Sequence, residues 1–156
     1  MKNFKQKSTD DSQKDRKLVT PSVTEYMVQA SKLITFKADT PVMEALDTLL
    51  KNRITGAPVL NSSGEVIGLI DDKDCLNIVV SGAYYNHPVD RDTVSTYMSN
   101  VMKSITTDNS ILDVANLFLT TPYKRFLIVD DHGKFVGQIS RRDILRAIKD
   151  MNMNTW

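Results

Sequence analysis

The chain of 156 residues contains a single cysteine, Cys75, so no disulfide can form within it. That excludes the staple of small secreted scaffolds and fits a reducing, cytoplasmic setting. No apolar run approaches the roughly 18 residues of a membrane span, so no membrane association is expected. Charge of one sign is also lacking. Twenty Lys and Arg face nineteen Asp and Glu, for a net charge of +1. No global field draws the chain to DNA or RNA, and direct nucleic-acid binding is not expected. Catalytic signatures are missing too. There is no Cys-His, Ser-His-Asp or HExxH arrangement, and Gly68-Leu-Ile-Asp-Asp-Lys73 lacks the Gly-Lys-Ser/Thr of a phosphate loop. The expectation is a protein that is not an enzyme. His87 and His132 have no partner at metal-ligand spacing and read as solvated. Cys75 reads as a small buried hydrophobe. Residues 1–17 are charged, have no apolar run behind them, and are expected to form a disordered tail rather than a secretory signal.

What the sequence does have is an internal repeat. Setting Gly68 on Gly137 gives an offset of 69 residues. Without gaps, Asp39 then falls on Asp108, Gly64 on Gly133, Ile70 on Ile139, Asp74 on Asp143 and Leu76 on Leu145. Val42/Ile111, Leu50/Leu119 and Val59/Ile128 are conservative matches at the same offset. A shorter echo lies upstream, where Val-Thr-Glu-Tyr-Met (23–27) resembles Val-Ser-Thr-Tyr-Met (94–98) at an offset of 71.

Each copy has the same order of elements. Thr40-Pro41 reads as a hydroxyl cap with proline at the first helical position. Val42, Ala45, Leu46, Leu49 and Leu50 then recur at helical spacing and predict one buried face. Ser110 opens the equivalent helix, with Ile111, Val114, Ala115, Phe118 and Leu119 on its face; Ser110 and Asp113 stand at capping-box spacing. Two short apolar runs around Asn61-Ser-Ser-Gly64, and two around Asp130-Asp-His-Gly133, predict hairpins. A second helix follows, from Lys73 to about Val80 and from Arg141 to about Lys149. A unit this small buries too little alone, so the two copies are expected to pack on one shared core. The expected division is a tail at 1–17, a first repeat at 18–82, a linker at 83–92 and a second repeat at 93–151. Tyr84 and Tyr85 of the linker are expected to pack onto the nearest core. Met98, Met102, Met151 and Met153 suggest adaptable apolar surfaces.

The repeated apolar strand, glycine turn and Gly-x-x-Ser/Thr-x-x-Asp segment resemble the CBS domain pair, also called a Bateman module. Here that segment reads Gly68-Leu-Ile-Asp-Asp-Lys-Asp74 and Gly137-Gln-Ile-Ser-Arg-Arg-Asp143. The resemblance covers about residues 20–150. It implies an α/β (α+β) fold of two tandem β-α-β-β-α units related by a pseudo-two-fold axis. It also implies a module that forms homodimers, binds adenosine-containing ligands and regulates an effector.

The same resemblance suggests where a ligand binds. In the second copy, Ser140 and the helix start would meet a phosphate. Arg141, Arg142, Lys124 and Arg125 would add charge, and Asp143 would accept the ribose hydroxyls. By analogy the base would lie against Ile105, Thr106 and Phe126. Read from the residues alone, Ser140 and Asp143 equally make a helix cap. In the first copy Asp71 replaces Ser140, and its carboxylate repels a phosphate. That weaker site would take an uncharged adenosyl group through Asp74, with Ile34, Thr35, Ala57 and Pro58 around the base, or stand empty. Asp71, Asp72 and Asp74 can also be read as a Mg²⁺ or Ca²⁺ cluster, although their spacing matches no EF-hand loop; no metal is expected. The expected ligand is AMP, ADP or ATP, with S-adenosylmethionine as a further candidate and no required cofactor. With no effector domain in these residues, the effector is expected to be a separate protein. The alternatives are a ligand-free dimerisation scaffold and, more distantly, a metal-dependent nucleotide hydrolase.

Overall fold

The structure, a computed structural model, describes residues 20–100 and 102–151. The tail expected at 1–17 lies outside these residues. In the first copy, β2 (Phe36–Lys37), α1 (Val42–Lys51), β3 (Gly56–Leu60), β4 (Val66–Asp71) and α2 (Asp72–Tyr84) follow in order after the two-residue strand β1 (Val28–Gln29). After a short helix α3 (Val94–Tyr97), the second copy repeats the order as β5 (Ser104–Thr106), α4 (Ile111–Thr120), β6 (Arg125–Val129), β7 (Phe135–Ser140) and α5 (Arg141–Asp150). The fold is α+β with two sheets, ordered β2-β3-β4 and β1-β7-β6-β5. In each unit the helix crossover joins parallel strands and the hairpin joins antiparallel ones.

The hairpin turns have one construction. Gly64 and Gly133 adopt φ of 80° and 76°, which strains any residue with a Cβ. Asn61 Oδ1 accepts the N–H groups of Ser63 and Glu65, and Asp130 Oδ1 those of His132 and Lys134. These bonds hold the Asp130 carboxyl below its usual range.

The two copies do not share one core. There are two apolar clusters, one per sheet, and each is completed by a segment of the other copy. Val23, fully buried, belongs to the second cluster, and β1 pairs antiparallel with β7. Reciprocally, Val94 and Tyr97 belong to the first cluster, and Ser99 bridges Leu69 of β4. The backbone bonds match across the exchange: Ile111 N–H donates to Pro21 O at 2.9 Å, and Val42 N–H to Asp92 O at 3.0 Å. This explains the two glycines that anchor the repeat. A Cβ on Gly137 would stand 2.6 Å from Met27 Sδ and 2.8 Å from Val28 O. One on Gly68 would stand 2.7 Å from Met98 Sδ and 3.0 Å from Ser99 O.

Several local expectations are corrected. Thr40 is not a cap: Pro41 occupies the N-cap position, and Thr40 Oγ1 accepts the Lys37 N–H instead. The buried stripe of α1 is Val42, Ala45 and Leu49, while Leu50 is 68% exposed. In α4 it is Ile111, Val114 and Phe118, while Leu119 is 83% exposed. One residue past the stripe turns a side chain about 100° away from the core. Helix α2 runs past Val80 to Tyr84, and Tyr84 and Tyr85 are exposed rather than packed on a core. His87 is exposed as expected, with its Nε2 2.9 Å from Asp92 Oδ1, and Tyr97 Oη donates to Asp92 Oδ2 at 2.7 Å. Those two bonds hold the Asp92 carboxyl below its usual range. The capping box of Ser110 and Asp113 is present as expected.

Candidate functional site

A cavity of about 500 Å³ opens where β7 turns into α5. Ser140, Arg141, Arg142, Asp143, Lys124 and Arg125 all line it. Val28 of β1, which pairs with Gln138 of β7, lies on the same side; the other wall comes from the first copy: Lys32, Leu33, Ile34, and the run Arg53 to Gly56. Six cations, Lys32, Arg53, Lys124, Arg125, Arg141 and Arg142, thus line the cavity with a single carboxylate, Asp143. A multiply charged anion suits such a cavity better than any other small ligand.

Asp143 is 7% exposed and held from both sides. Its Oδ2 accepts the Ser140 N–H at 2.8 Å and the Ser140 hydroxyl at 3.0 Å, while Arg146 Nη2 donates to Oδ1 at 2.7 Å. Three of its roughly four acceptor positions are filled. If the Ser140 hydroxyl turns to an incoming phosphate, two become free, which is what a vicinal diol needs. Arg146 also donates to Tyr26 O at 3.2 Å, and so ties α5 to the exchanged segment.

Arg53 was not singled out from sequence. It follows the C-cap Asn52 with φ of 53°, in the left-handed region where glycine is the usual choice. Its N–H donates to Leu50 O and that of Ile54 to Leu49 O, closing the helix end. Arg53 thus stands in a left-handed conformation among the cations that line the cavity.

A smaller cavity of about 350 Å³ lies at the equivalent turn of the first copy. Leu69, Asp71, Lys73 and Asp74 line it together with Ser99, Tyr123, Lys124 and Arg125 of the second copy. Asp71 and Asp74 form a full capping box, each accepting the other's backbone N–H, at 2.8 and 3.0 Å. Burial, with the Asp71 and Asp72 carboxylates beside it, pushes Asp74 up to about 6, against the opposing backbone bond from Asp71. Among the described residues no group of three His, Cys, Asp or Glu side chains has the geometry to hold a metal ion. The same acidic surroundings act on Cys75: burial first, then the neighbouring aspartates, push its thiol up, which disfavours the reactive thiolate.

Lys124 and Arg125 line both cavities. Arg125 Nη2 donates to Thr55 Oγ1 at 2.8 Å, and Lys124 Nζ lies 3.5 Å from Asp72 Oδ1. Arg125 occupies space that Gly56, its counterpart in the first copy, leaves open: a Cβ there would stand 2.5 Å from Nη1. Burial pulls the Arg125 pKa down, and Asp71 and Asp72 oppose that shift.

The remaining residues proposed for the base lie elsewhere. Phe126 and Ile105 are buried in the second core cluster. Thr106 pairs with Val129, at the end of β6 away from Arg125, and its N–H donates to Asn109. Ala57 and Pro58 are buried, and Thr35 lines neither cavity. Ile34 lines the larger cavity, facing the second copy's Ser140 and Asp143 rather than Asp74.

No helix among the described residues is long and apolar enough to cross a membrane. Comparison with known proteins agrees with the repeat. The CBS domain pattern matches residues 23–81 and 94–150. The chain is 33% identical over 150 residues to the chloroplastic CBS domain-containing protein CBSX1 of Arabidopsis thaliana, covering 81% of this chain and 63% of that one. It is 23% identical over 112 residues to the 5'-AMP-activated protein kinase subunit gamma of Saccharomyces cerevisiae, covering 70% of this chain and 35% of that one. Among solved structures, Arabidopsis CBSX2 in complex with AMP superposes with a TM-score of 0.72 at 25% identity, covering 84% of this chain and 98% of that one. The chain belongs to the CBS domain family and carries two CBS units in tandem.

Proposed function

We propose that this CBS pair is a regulatory module, not an enzyme, whose larger cavity binds an adenine nucleotide: AMP, ADP or ATP. The observation that carries this reading is the six cations that line the cavity together with a buried, pre-positioned Asp143 at the start of α5. The cations and Ser140 suit the phosphates, Asp143 the ribose, and the apolar wall of Val28, Leu33, Ile34 and Ile54 the base. The AMP complex of CBSX2 supports the choice of ligand class. Asp71 and Asp74 make the smaller cavity unsuited to phosphate; an uncharged or cationic adenosyl compound such as S-adenosylmethionine fits it better. The ligand acts by favouring one arrangement of the units, which a separate effector protein reads.

A melting-temperature series with AMP, ADP, ATP and S-adenosylmethionine tests the proposal. Ligand at a hundred times its Kd stabilises by about 2.7 kcal/mol, a shift of several degrees. A shift with AMP that Asp143→Ala abolishes supports the reading; no shift with any nucleotide refutes it.

A second reading, self-association, rests on the exposed leucines. Leu50 and Leu119 are equivalent in the repeat, as are Leu76 and Leu145, and all four are more than 60% exposed. Paired apolar positions of this kind suit a two-fold interface between two copies. Sedimentation of the wild type against a Leu76→Glu, Leu145→Glu variant tests it.

A further inference from the structure

Gln138 stands two residues before Ser140 in β7, so strand alternation puts both side chains on the cavity face and Ile139 in the core. Gln138 lines the larger cavity, and its Oε1 is buried without a hydrogen-bond partner. A buried carbonyl left unpaired costs free energy, and native structures seldom tolerate one without a use. Packing does not demand the amide: the equivalent residue of the first copy is Leu69, which lines the smaller cavity. Two residues along a strand span about 6.7 Å, which sets Gln138 apart from the Ser140 end of the cavity, where the phosphates are placed. The partly buried Val28, Leu33, Ile34 and Ile54 line the same cavity and offer the base an apolar wall.

We infer that Gln138 Oε1 reads the base, accepting a hydrogen bond from the exocyclic amine of a 6-aminopurine. This rests on the larger cavity being the nucleotide site. A 6-oxopurine would set its O6 lone pairs against Oε1 in the amide orientation of this structure. Gln138 is thus the residue that separates adenine from hypoxanthine and guanine.

Calorimetric titration of AMP and IMP into wild type, Gln138→Leu and Gln138→Glu tests the inference. Wild type is expected to prefer AMP by about ten-fold. Gln138→Leu should bring the ratio close to one while melting no lower than wild type. Gln138→Glu keeps an acceptor at the position and should keep the preference, whatever its added charge does to overall affinity. Equal binding of AMP and IMP by wild type, or an unchanged ratio in Gln138→Leu, overturns the base reading alone. Stronger binding of IMP also overturns it, since the amide would then be presenting its NH₂. If wild type binds neither nucleotide, the functional reading falls and takes this inference with it.

Discussion

Replacing Arg53 with glycine should make the protein more stable and a poorer nucleotide binder. The φ of 53° places Arg53 in the left-handed region, which costs an L-residue about 1 to 2 kcal/mol and glycine almost nothing. Part of that relief is offset because glycine gains more freedom in the unfolded chain, leaving a net gain of about 0.5 to 1 kcal/mol. For a domain of this size that raises the Tm by about 1 to 4 °C. The hydrogen bonds that close α1, from the Arg53 and Ile54 amides, use only backbone atoms and survive the change. The lost guanidinium is exposed at the cavity mouth, so its attraction for a phosphate is screened and worth about 0.5 to 1 kcal/mol. AMP should therefore bind about two- to five-fold more weakly. Chemical denaturation measures the first effect and calorimetry the second. A less stable Arg53→Gly variant would show that the turn is not strained for arginine. A more stable variant with unchanged AMP affinity would show that Arg53 plays no part in binding.

Two further perturbations probe the exchange and the acidic turn. Gly137→Ala puts a methyl against Val28 O and Met27 Sδ, and should cost about 1 to 3 kcal/mol by urea denaturation through overpacking; a variant as stable as wild type would mean that the exchanged segment does not bear on β7. Asp74, pushed up to about 6, holds its proton to higher pH in the folded state than in the unfolded chain, where its pKa is about 3.9. Its contribution to stability therefore falls as pH rises from about 4 to about 6 and stays lost at pH 7. Asp74→Asn, which keeps an acceptor for the Asp71 N–H, should melt above wild type at pH 7, with the difference shrinking towards pH 5; a difference independent of pH would refute the shift.

The repeat made the fold legible because both periodicities are local. Val42, Ala45 and Leu49 recur at helical spacing, and the Gly64 and Gly133 turns each divide two strand runs. Ser140, Asp143 and the four neighbouring cations were legible for the same reason: they cluster at two places in the chain that the hairpin brings together. The other wall of the cavity was not. An offset of 69 maps each residue onto its counterpart but does not say which unit it faces, so Ile34 was assigned to Asp74 rather than Asp143. Thr55 carries no local signal, because its partner Arg125 lies about seventy residues away. The signal for the exchange was present in the upstream echo at 23–27 and 94–98, and in Gly68 and Gly137. Mid-strand glycines mark a close backbone approach, here by the segment carrying that echo.

The exchange and the shared cavity have a joint consequence for regulation. Each unit has its own apolar cluster, so the larger cavity is bounded by two separately packed bodies rather than by one rigid core. Its walls divide between them: Ile34 and Arg53 to Gly56 on one side, Lys124, Arg125 and Ser140 to Asp143 on the other. A ligand touching both walls binds best in one relative placement of the units and stabilises that placement by its differential affinity. Arg146 carries the effect further, because the guanidinium that holds Asp143 also holds Tyr26 O in the exchanged segment. On the proposed reading a ligand that draws on Asp143 would therefore act on the segment that the first copy lends to the second unit. Lys124 and Arg125 face Asp71 and Asp72 as well as the cavity, so on the proposed reading a bound phosphate would share them with those acids.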